Sequence, residues 1–161
     1  IDKPSRFIMC KGEIIALPSK VSPPIAPVYP AKVLKEYLTE LFNGISKKEC
    51  EEGYWSIFSD PKTLNSITFN NGDAVIDFNK RILQDIGGSE SYIVITMLNQ
   101  IHNTLFQFDE VKSVTLTLDG DCNAIGDVLQ TGCLTYTRDM WEFSAKMNEV
   151  NLPPIYSLEG R

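Results

Sequence analysis

The sequence lacks most of the features on which common enzyme classes depend. It contains one histidine, His102, so neither a histidine pair nor a histidine-rich metal site is available. It contains no GxxxxGK phosphate-binding loop, no GxGxxG turn and no GxSxG nucleophile elbow. These absences argue against nucleotide-dependent enzymes and serine hydrolases. The sequence predicts no catalytic residue, no metal site and no cofactor.

Long apolar runs and clusters of positive charge are also missing. The longest apolar runs span only a few residues, whereas a helix that crosses a bilayer needs about 20. The 15 Lys and Arg residues are scattered among 21 Asp and Glu residues, and the net charge is -6. Nucleic acids and anionic membrane surfaces need a concentrated positive field, so both are disfavoured as partners. A chain of 161 residues, 43% of them hydrophobic, fits one domain.

The chain begins without a recognisable targeting segment. Its first residues, IDKP, include neither the apolar segment of a signal peptide nor an initiator methionine. The sequence is therefore interpreted as a mature or trimmed fragment, from which any leader or lipid anchor upstream of Ile1 has been removed.

Cysteine is present in an even number and in no CxxC pair, which disfavours a zinc site. The four residues Cys10, Cys50, Cys122 and Cys133 favour two disulfides and an oxidising compartment. Cys122 with Cys133 and Cys10 with Cys50 is the preferred pairing, because the first pair is close in sequence and brackets a loop. Four buried thiols in a cytosolic protein are the alternative.

Turn residues and hydrophobic periodicity predict strands and helices in turn. Lys11-Gly12 and Asn70 to Asp73 mark tight turns, and the prolines from Pro23 to Pro30 mark an extended connection, with polyproline recognition by a partner as an alternative. Ser89, after Gly87-Gly88, is expected to cap a helix. The predicted strands are 6–10, 13–17, 64–69, 74–78, 113–118 and 133–137, and the predicted helices are 31–42, 90–106 and 139–148.

The first two of these helices carry apolar stripes at steps of three and four. The order of elements predicts an α/β (α+β) fold, a single domain in which a mixed β-sheet has two main helices packed on one face. The stripe residues are Val33, Leu34, Tyr37, Leu38, Leu41 and Phe42 in the first helix, and Val94, Met97, Leu98, Ile101 and Leu105 in the second.

The stretch LDGDCNAIGD resembles the start of a calcium-binding EF-hand loop. Asp119, Asp121 and Asn123 supply oxygen atoms at the first three ligand positions. The sixth position should be glycine but is Ala124, and the twelfth should be glutamate but is Gln130. A strand is also predicted before the loop where an EF-hand needs a helix. The stretch is therefore interpreted as a turn followed by a loop that the disulfide closes.

Aromatic residues offer a candidate binding groove. Tyr54, Trp55 and Phe58, and also Trp141 with Phe143, are expected to line it if they are exposed, although such residues more often complete the core. The loop from Asp121 to Gly132 is the other candidate region, with Asp121 and Asn123 as its binding residues. His102 is interpreted as a flanking or partly buried helix residue beside the apolar stripe.

Several strings, taken in order, resemble a known family. They are ITFNNGDAVIDFNKRI followed by GGSES, then LNQIHNTLFQFDEVKSVTLTLDG, and finally LTYTR. Together they resemble the GerMN (germane) domain of bacterial sporulation and germination proteins and lipoproteins. The match is carried by residues 75–78, 103–108 and 111–120. It covers roughly Phe7 to Arg138 and is strongest from Ile67 to Gly120.

The resemblance implies a non-enzymatic α/β module outside the cytoplasm, used in assembly or sensing at the bacterial cell envelope. Envelope proteins or cell-wall components are its implied partners, and a membrane anchor upstream of Ile1 fits the family. Residues 1–138 are expected to form the GerMN-like domain, and residues 139–161 a C-terminal extension with a short helix and an irregular tail. The cysteines and the loop 121–132 depart from the family pattern.

The leading hypothesis is therefore a protein-binding module. A domain that binds small ligands or cell-wall glycans through its exposed aromatic residues is the first alternative. An enzyme is the second, and it would need Asp73, Asp77, Asp119 or Asp121 to converge in one pocket. Against it, Asp73 reads as a turn residue, and the glutamates from Glu49 to Glu52 read as a solvated charge run.

Overall fold

The computed structural model describes residues 3–87 and 90–160. Within this part of the chain the strands form two sheets, and six α-helices accompany them. The strands are β1 Ser5–Cys10, β2 Glu13–Pro18, β3 Tyr54–Trp55, β4 Leu64–Asn70, β5 Asp73–Phe78, β6 Ser113–Leu118 and β7 Thr135–Thr137. The helices are α1 Pro30–Phe42, α2 Lys47–Glu51, α3 Ile82–Ile86, α4 Ser91–Phe106, α5 Cys122–Leu129 and α6 Arg138–Met147.

Two tight turns build the hairpins that the sequence predicts. Lys11 and Gly12 both have positive φ angles, 51° and 80°, and connect β1 to β2. Asn71 and Gly72, at 50° and 85°, do the same between β4 and β5. Positive φ at both turn residues suits the twist of the flanking strands, so these short turns fix the register of both hairpins.

The strands separate into two sheets, whereas the sequence predicted one. The first sheet has the order β2-β1-β3 and is antiparallel. The second has the order β4-β5-β6-β7 and is mixed, because β5 and β6 run parallel. The mixed α/β class is confirmed, but the single sheet is wrong. The sequence pattern of a hairpin predicts only that two neighbouring strands pair with each other. Which further strands join them in a sheet depends on residues far away in the chain.

The core lies where α1 and α4 meet the inner face of the second sheet. All six predicted stripe residues of α1 are buried, which confirms that prediction. In α4, four of the five predicted residues are buried, and Leu98 is half-buried. The sheet contributes alternate residues of its two central strands, namely Ala74, Ile76, Phe78, Val114, Leu116 and Leu118.

Two buried glutamines, Gln100 in α4 and Gln107 directly after its end, attach the first sheet to this core. The side-chain amide of Gln100 donates to the carbonyl of Phe7 at 2.8 Å and accepts from the backbone N–H of Ile57 at 3.1 Å. The side chain of Gln107 accepts from the N–H of Ser5 at 2.8 Å and donates to its carbonyl at 3.0 Å. Both glutamines are fully buried, so their hydrogen bonds replace those that water would make.

Two further predictions concern the start of α4 and the segment after α6. Ser89, the predicted cap, lies outside the described residues, and α4 begins at Ser91 with Glu90 in the capping position. The tail after α6 returns to the core, where Leu158 is buried and Tyr156 forms a bridge with Phe108. The boundary at residue 138 stays a prediction.

An ion pair fixes α2 against β1. Arg6 and Glu49 form it, and their side chains are only 10% and 17% exposed. Glu49 also completes a capping box with Ser46. The hydrogen bond from Arg6, together with that from the backbone N–H of Ser46, outweighs the opposing effect of burial and lowers the pKa of Glu49 to about 2. Glu49 is therefore a paired residue, and its interpretation as part of a solvated charge run is wrong.

We expect Glu49→Gln to lower the free energy of unfolding near neutral pH by on the order of 3 kcal/mol, because Arg6 would stay buried without its counter-charge. The lowered pKa means that the pair stabilises the fold above pH 4.5, and that this stability is lost as the pH falls toward about 2. Urea unfolding over this range should show a steeper loss in the wild type than in the variant. Glu51→Gln, an exposed change in the same helix, is the control, and parallel curves for the wild type and Glu49→Gln would contradict the assignment.

Candidate functional site

The disulfide between Cys122 and Cys133 is present, as the sequence predicted. Its Cα atoms lie 5.1 Å apart, and it joins the first residue of α5 to the segment that enters β7. Cys10 and Cys50 are free thiols, so the second predicted disulfide is wrong. The side chain of Cys50 is exposed on α2, whereas Cys10 is half-buried at the end of β1. The even cysteine count therefore did not determine the pairing.

The stretch LDGDCNAIGD ends a strand, turns and starts a helix. Asp119 and Gly120 have φ angles of 48° and 82°, which confirms the predicted turn. Asp121 is the N-cap of α5, and its carboxylate accepts from the N–H groups of Asn123 and Ala124 at 2.9 and 3.2 Å. The predicted loop 121–132 is wrong, since most of it is α5. The helical spacing of its apolar residues Ile125, Val128 and Leu129 was the signal that could have shown this.

The acidic side chains around this turn form hydrogen bonds with neighbouring groups of the protein. The carboxylate of Asp77 accepts from the hydroxyl of Thr117 at 2.6 Å, from the N–H of Gly120 at 2.7 Å and from the amide of Asn65 at 3.0 Å. Burial by itself would raise the pKa of Asp77, but these three hydrogen bonds outweigh it and hold the pKa below its ordinary value. Asn65 also donates to Asp119 at 3.2 Å. This network holds β4, β5 and the β6–α5 turn together.

The predicted binding residues do not form one surface. Trp141 is only 6% exposed and stacks on Phe106 with 5.3 Å between the ring centroids, so its predicted exposure is wrong. Tyr54 is half-buried and Trp55 is 41% exposed, both on the edge strand β3 of the first sheet. Asp121 and Asn123 lie at the start of α5, next to the second sheet. A groove that uses Trp141 is therefore not present.

His102 is more deeply buried than a residue at the flank of a stripe. It is 5% exposed and stacks on Tyr136, with 4.0 Å between ring centroids. It also lines a cavity of about 30 Å³ beneath α5. Burial lowers the pKa of His102 to about 3, so the imidazole is neutral at ordinary pH. Because the imidazole is neutral and packs on an aromatic ring, His102 is part of the core.

The sequence reasoning named Phe143 as a candidate groove residue but missed the exposed apolar surface on α6 to which it belongs. Met140, Phe143 and Met147 recur at steps of three and four and are 38%, 64% and 65% exposed. Val150, 54% exposed, follows the helix end, where its N–H donates to the carbonyl of Ala145 at 2.9 Å. We call Met140, Phe143, Met147 and Val150 the α6 surface. The helical spacing of these residues was visible in the sequence, but spacing alone does not show whether the face that they form is buried or exposed.

The opposite side of α6 is fixed to the core. The guanidinium of Arg138 donates to the carbonyls of Phe106, Phe108 and Val111 at 2.7 to 3.1 Å. It also lies 5.5 Å from the ring centroid of Trp141. Because one side of the helix is held in this way, the apolar residues of the other side face away from the protein.

Two opposite charges lie beside the α6 surface. Glu142 and Lys146 are one turn apart and exposed, and neither forms an ion pair with any residue in the described ranges 3–87 and 90–160. The surface therefore combines apolar side chains with one unpaired charge of each sign.

The fold and this site define a small α/β module whose buried polar residues bond mainly to its own backbone. The family model Germane, described as sporulation and spore germination, matches residues 16–123, which is more than half of the chain. The protein belongs to this family, as the sequence motifs predicted. No curated protein matches it significantly. The match ends before β7 and α6, so the α6 surface lies outside it.

A solved structure supports the fold. The chain is similar to the tandem GerMN domains of the sporulation protein GerM from Bacillus subtilis, with a TM-score of 0.50 and 18% sequence identity over 73% of this chain. It spans 39% of the length of that protein. At this identity the likeness concerns the fold alone. Within the described residues, no helix is long and apolar enough to cross a membrane.

The cysteine assignment predicts a specific thiol count. Unfolded without reductant, the protein should titrate two thiols, Cys10 and Cys50, and reduction should raise the count to four. Thiol titration in denaturant, with mass spectrometry of the alkylated protein, measures both values. Four thiols before reduction, or none, would contradict the assignment.

At Gly126, α5 packs closely on the loop that the disulfide closes. A Cβ atom at this position would overlap the backbone of Gly132. Gly126→Ala should therefore lower the free energy of unfolding by about 1–3 kcal/mol, through overpacking. Helix propensity alone predicts the opposite sign, because alanine favours a helix by about 1 kcal/mol over glycine. Urea unfolding decides between the two, with the exposed change Asp127→Ala as the control, and a stabilised Gly126→Ala variant would refute the close packing.

Proposed function

We propose that this protein is a non-enzymatic module that acts outside the cytoplasm and binds a second copy of its own GerMN domain through the α6 surface. The observation that carries the proposal is the exposed apolar face of a helix whose other face is anchored in the core. Exposed apolar stripes of this kind mark sites of protein association, and methionine is well suited to such surfaces.

The compartment is supported by the disulfide. Disulfides persist in oxidising environments and are rare in the cytosol of most organisms. Cys122–Cys133 closes a segment of the chain, and the family description places related domains in sporulation and spore germination. An envelope location agrees with both facts.

The non-enzymatic role is supported by how the acids and the histidine are used. Asp77 and Asp121 are hydrogen-bonded to their own surroundings, Glu49 is paired with Arg6, and His102 is buried as a neutral ring. A general acid or base must reach the proton that it transfers, and none of these groups is arranged to meet a substrate.

A second GerMN domain is supported by the charges beside the α6 surface. When two copies of a helix pack antiparallel, residues near its centre meet their counterparts in reverse order, so Glu142 of each copy would approach Lys146 of the other. The similar structure of GerM contains two GerMN domains in tandem. The pairing would cover four apolar side chains and neutralise two charges on each copy.

Self-association of the chain tests the proposal. Sedimentation equilibrium at concentrations up to about 1 mM detects even weak pairing, since a millimolar dissociation constant corresponds to about −4 kcal/mol. We expect concentration-dependent dimers in the wild type and monomers in Phe143→Asp. Ile95→Asp, at a residue of α4 that is 58% exposed, is the matched control and should still dimerise.

Charge reversal at Glu142 and Lys146 tests the proposed pairing more specifically in the same experiment. Glu142→Lys should weaken the dimer by placing like charges together, and Glu142→Lys combined with Lys146→Glu should restore it. A wild-type chain that stays monomeric over the whole range would refute the proposal. Dimers that persist in Phe143→Asp would refute the assignment of the surface.

A further inference from the structure

A cleft of about 500 Å³ lies between α1, the proline-rich segment and the C-terminal tail. Its inner lining is apolar and aromatic, because Val33, Tyr37, Phe108 and Leu158 are each at most 6% exposed. The rings of Tyr37 and Phe108 pack with centroids 4.9 Å apart. A volume of this size with such a lining is typical of sites that hold small molecules.

The hydroxyl of Tyr37 is the polar group of the inner lining that has no partner. Tyr37 is 4% exposed, and its hydroxyl forms no hydrogen bond with residues in the described part of the chain. Burial raises the pKa of Tyr37 to about 12, and the nearby charges of Glu40 and Glu36 add to the effect. The group is therefore a hydrogen-bond donor at ordinary pH. The oxygen of this hydroxyl keeps contact with solvent, since among the described residues it is the Nε atom of Arg6 that is buried without a partner, and the Tyr37 hydroxyl is therefore free to donate to an acceptor on a ligand.

The charged residues that line the cleft are both lysines. Lys3 and Lys20 are exposed, and neither forms an ion pair with another described residue. No acidic residue of the described chain lines the cleft. The neighbouring carboxylate of Glu40 already accepts hydrogen bonds from the hydroxyl of Ser19 and the backbone N–H of Lys20, each at 2.7 Å.

We propose that this cleft binds a small carboxylate with an apolar body, such as an aryl or short acyl acid. The apolar body packs on Val33, Phe108 and Leu158. The carboxylate accepts the hydrogen bond of Tyr37 and is attracted by the ammonium groups of Lys3 and Lys20. This site lies apart from the α6 surface, so it does not depend on the proposed self-association.

Titration of the 161-residue chain with 4-phenylbutyrate, followed by two-dimensional NMR of the backbone amides, tests the proposal. We expect saturable shifts of residues that line the cleft, and weaker binding of the uncharged amide, 4-phenylbutyramide, because it lacks the charge. The absence of saturable shifts, or equal binding of acid and amide, would overturn the proposal.

Two variants separate the hydroxyl from the lysines. Tyr37→Phe keeps the ring packing and removes one hydrogen bond, so it should weaken binding of the acid by about five-fold. Lys20→Gln should weaken binding of the acid and leave that of the amide unchanged. Lys62→Gln, an exposed change outside the cleft, is the matched control and should bind as the wild type does. Unchanged binding in Tyr37→Phe would overturn the role of the hydroxyl and, with it, the site as proposed.

Discussion

The hydrogen bonds of Gln100 and Gln107 are the constraint on which the rest of the structure depends. These two buried side chains, one in α4 and one at its C-terminal cap, bind the backbone of β1 and of the segment at Ile57, and thereby join the first sheet to a core that the second sheet shares. The backbone carbonyl of Gln107 also accepts from the N–H of Tyr156 at 2.7 Å, which positions the C-terminal tail. The walls of the cleft at Lys3 and Tyr156 follow from this arrangement.

The polar residues that suggest chemistry in the sequence are used for structure in the fold. Asp77 joins neighbouring elements at the β6–α5 turn, Asp121 caps α5, and Glu49 neutralises the buried Arg6. Asp77 and Asp121 accept hydrogen bonds from backbone N–H groups, and Glu49 lowers the cost of burying the charge of Arg6. The surfaces that we propose to meet a partner or a ligand are instead the apolar face of α6 and the cleft beside α1.

The part of the chain after residue 123 lies outside the family match and includes the α6 surface. Residues after 123 include most of α5, the second cysteine of the disulfide, β7 and α6. Arg138 and Trp141 attach this part to the end of α4, so it is packed on the family core.

The sequence by itself determined the local structure of this protein. The turns at Lys11-Gly12 and Asn71-Gly72, the apolar stripe of α1 and the nearby Cys122–Cys133 pair are signals that act within about a dozen residues, and each was predicted correctly. Only the tertiary structure decided the division into two sheets, the burial of Trp141, the free thiols of Cys10 and Cys50, and the cleft. These features depend on contacts between residues far apart in the chain, such as Gln100 with Phe7. The periodicity of a sequence reports only on residues that are close together in the chain, so it does not predict such contacts.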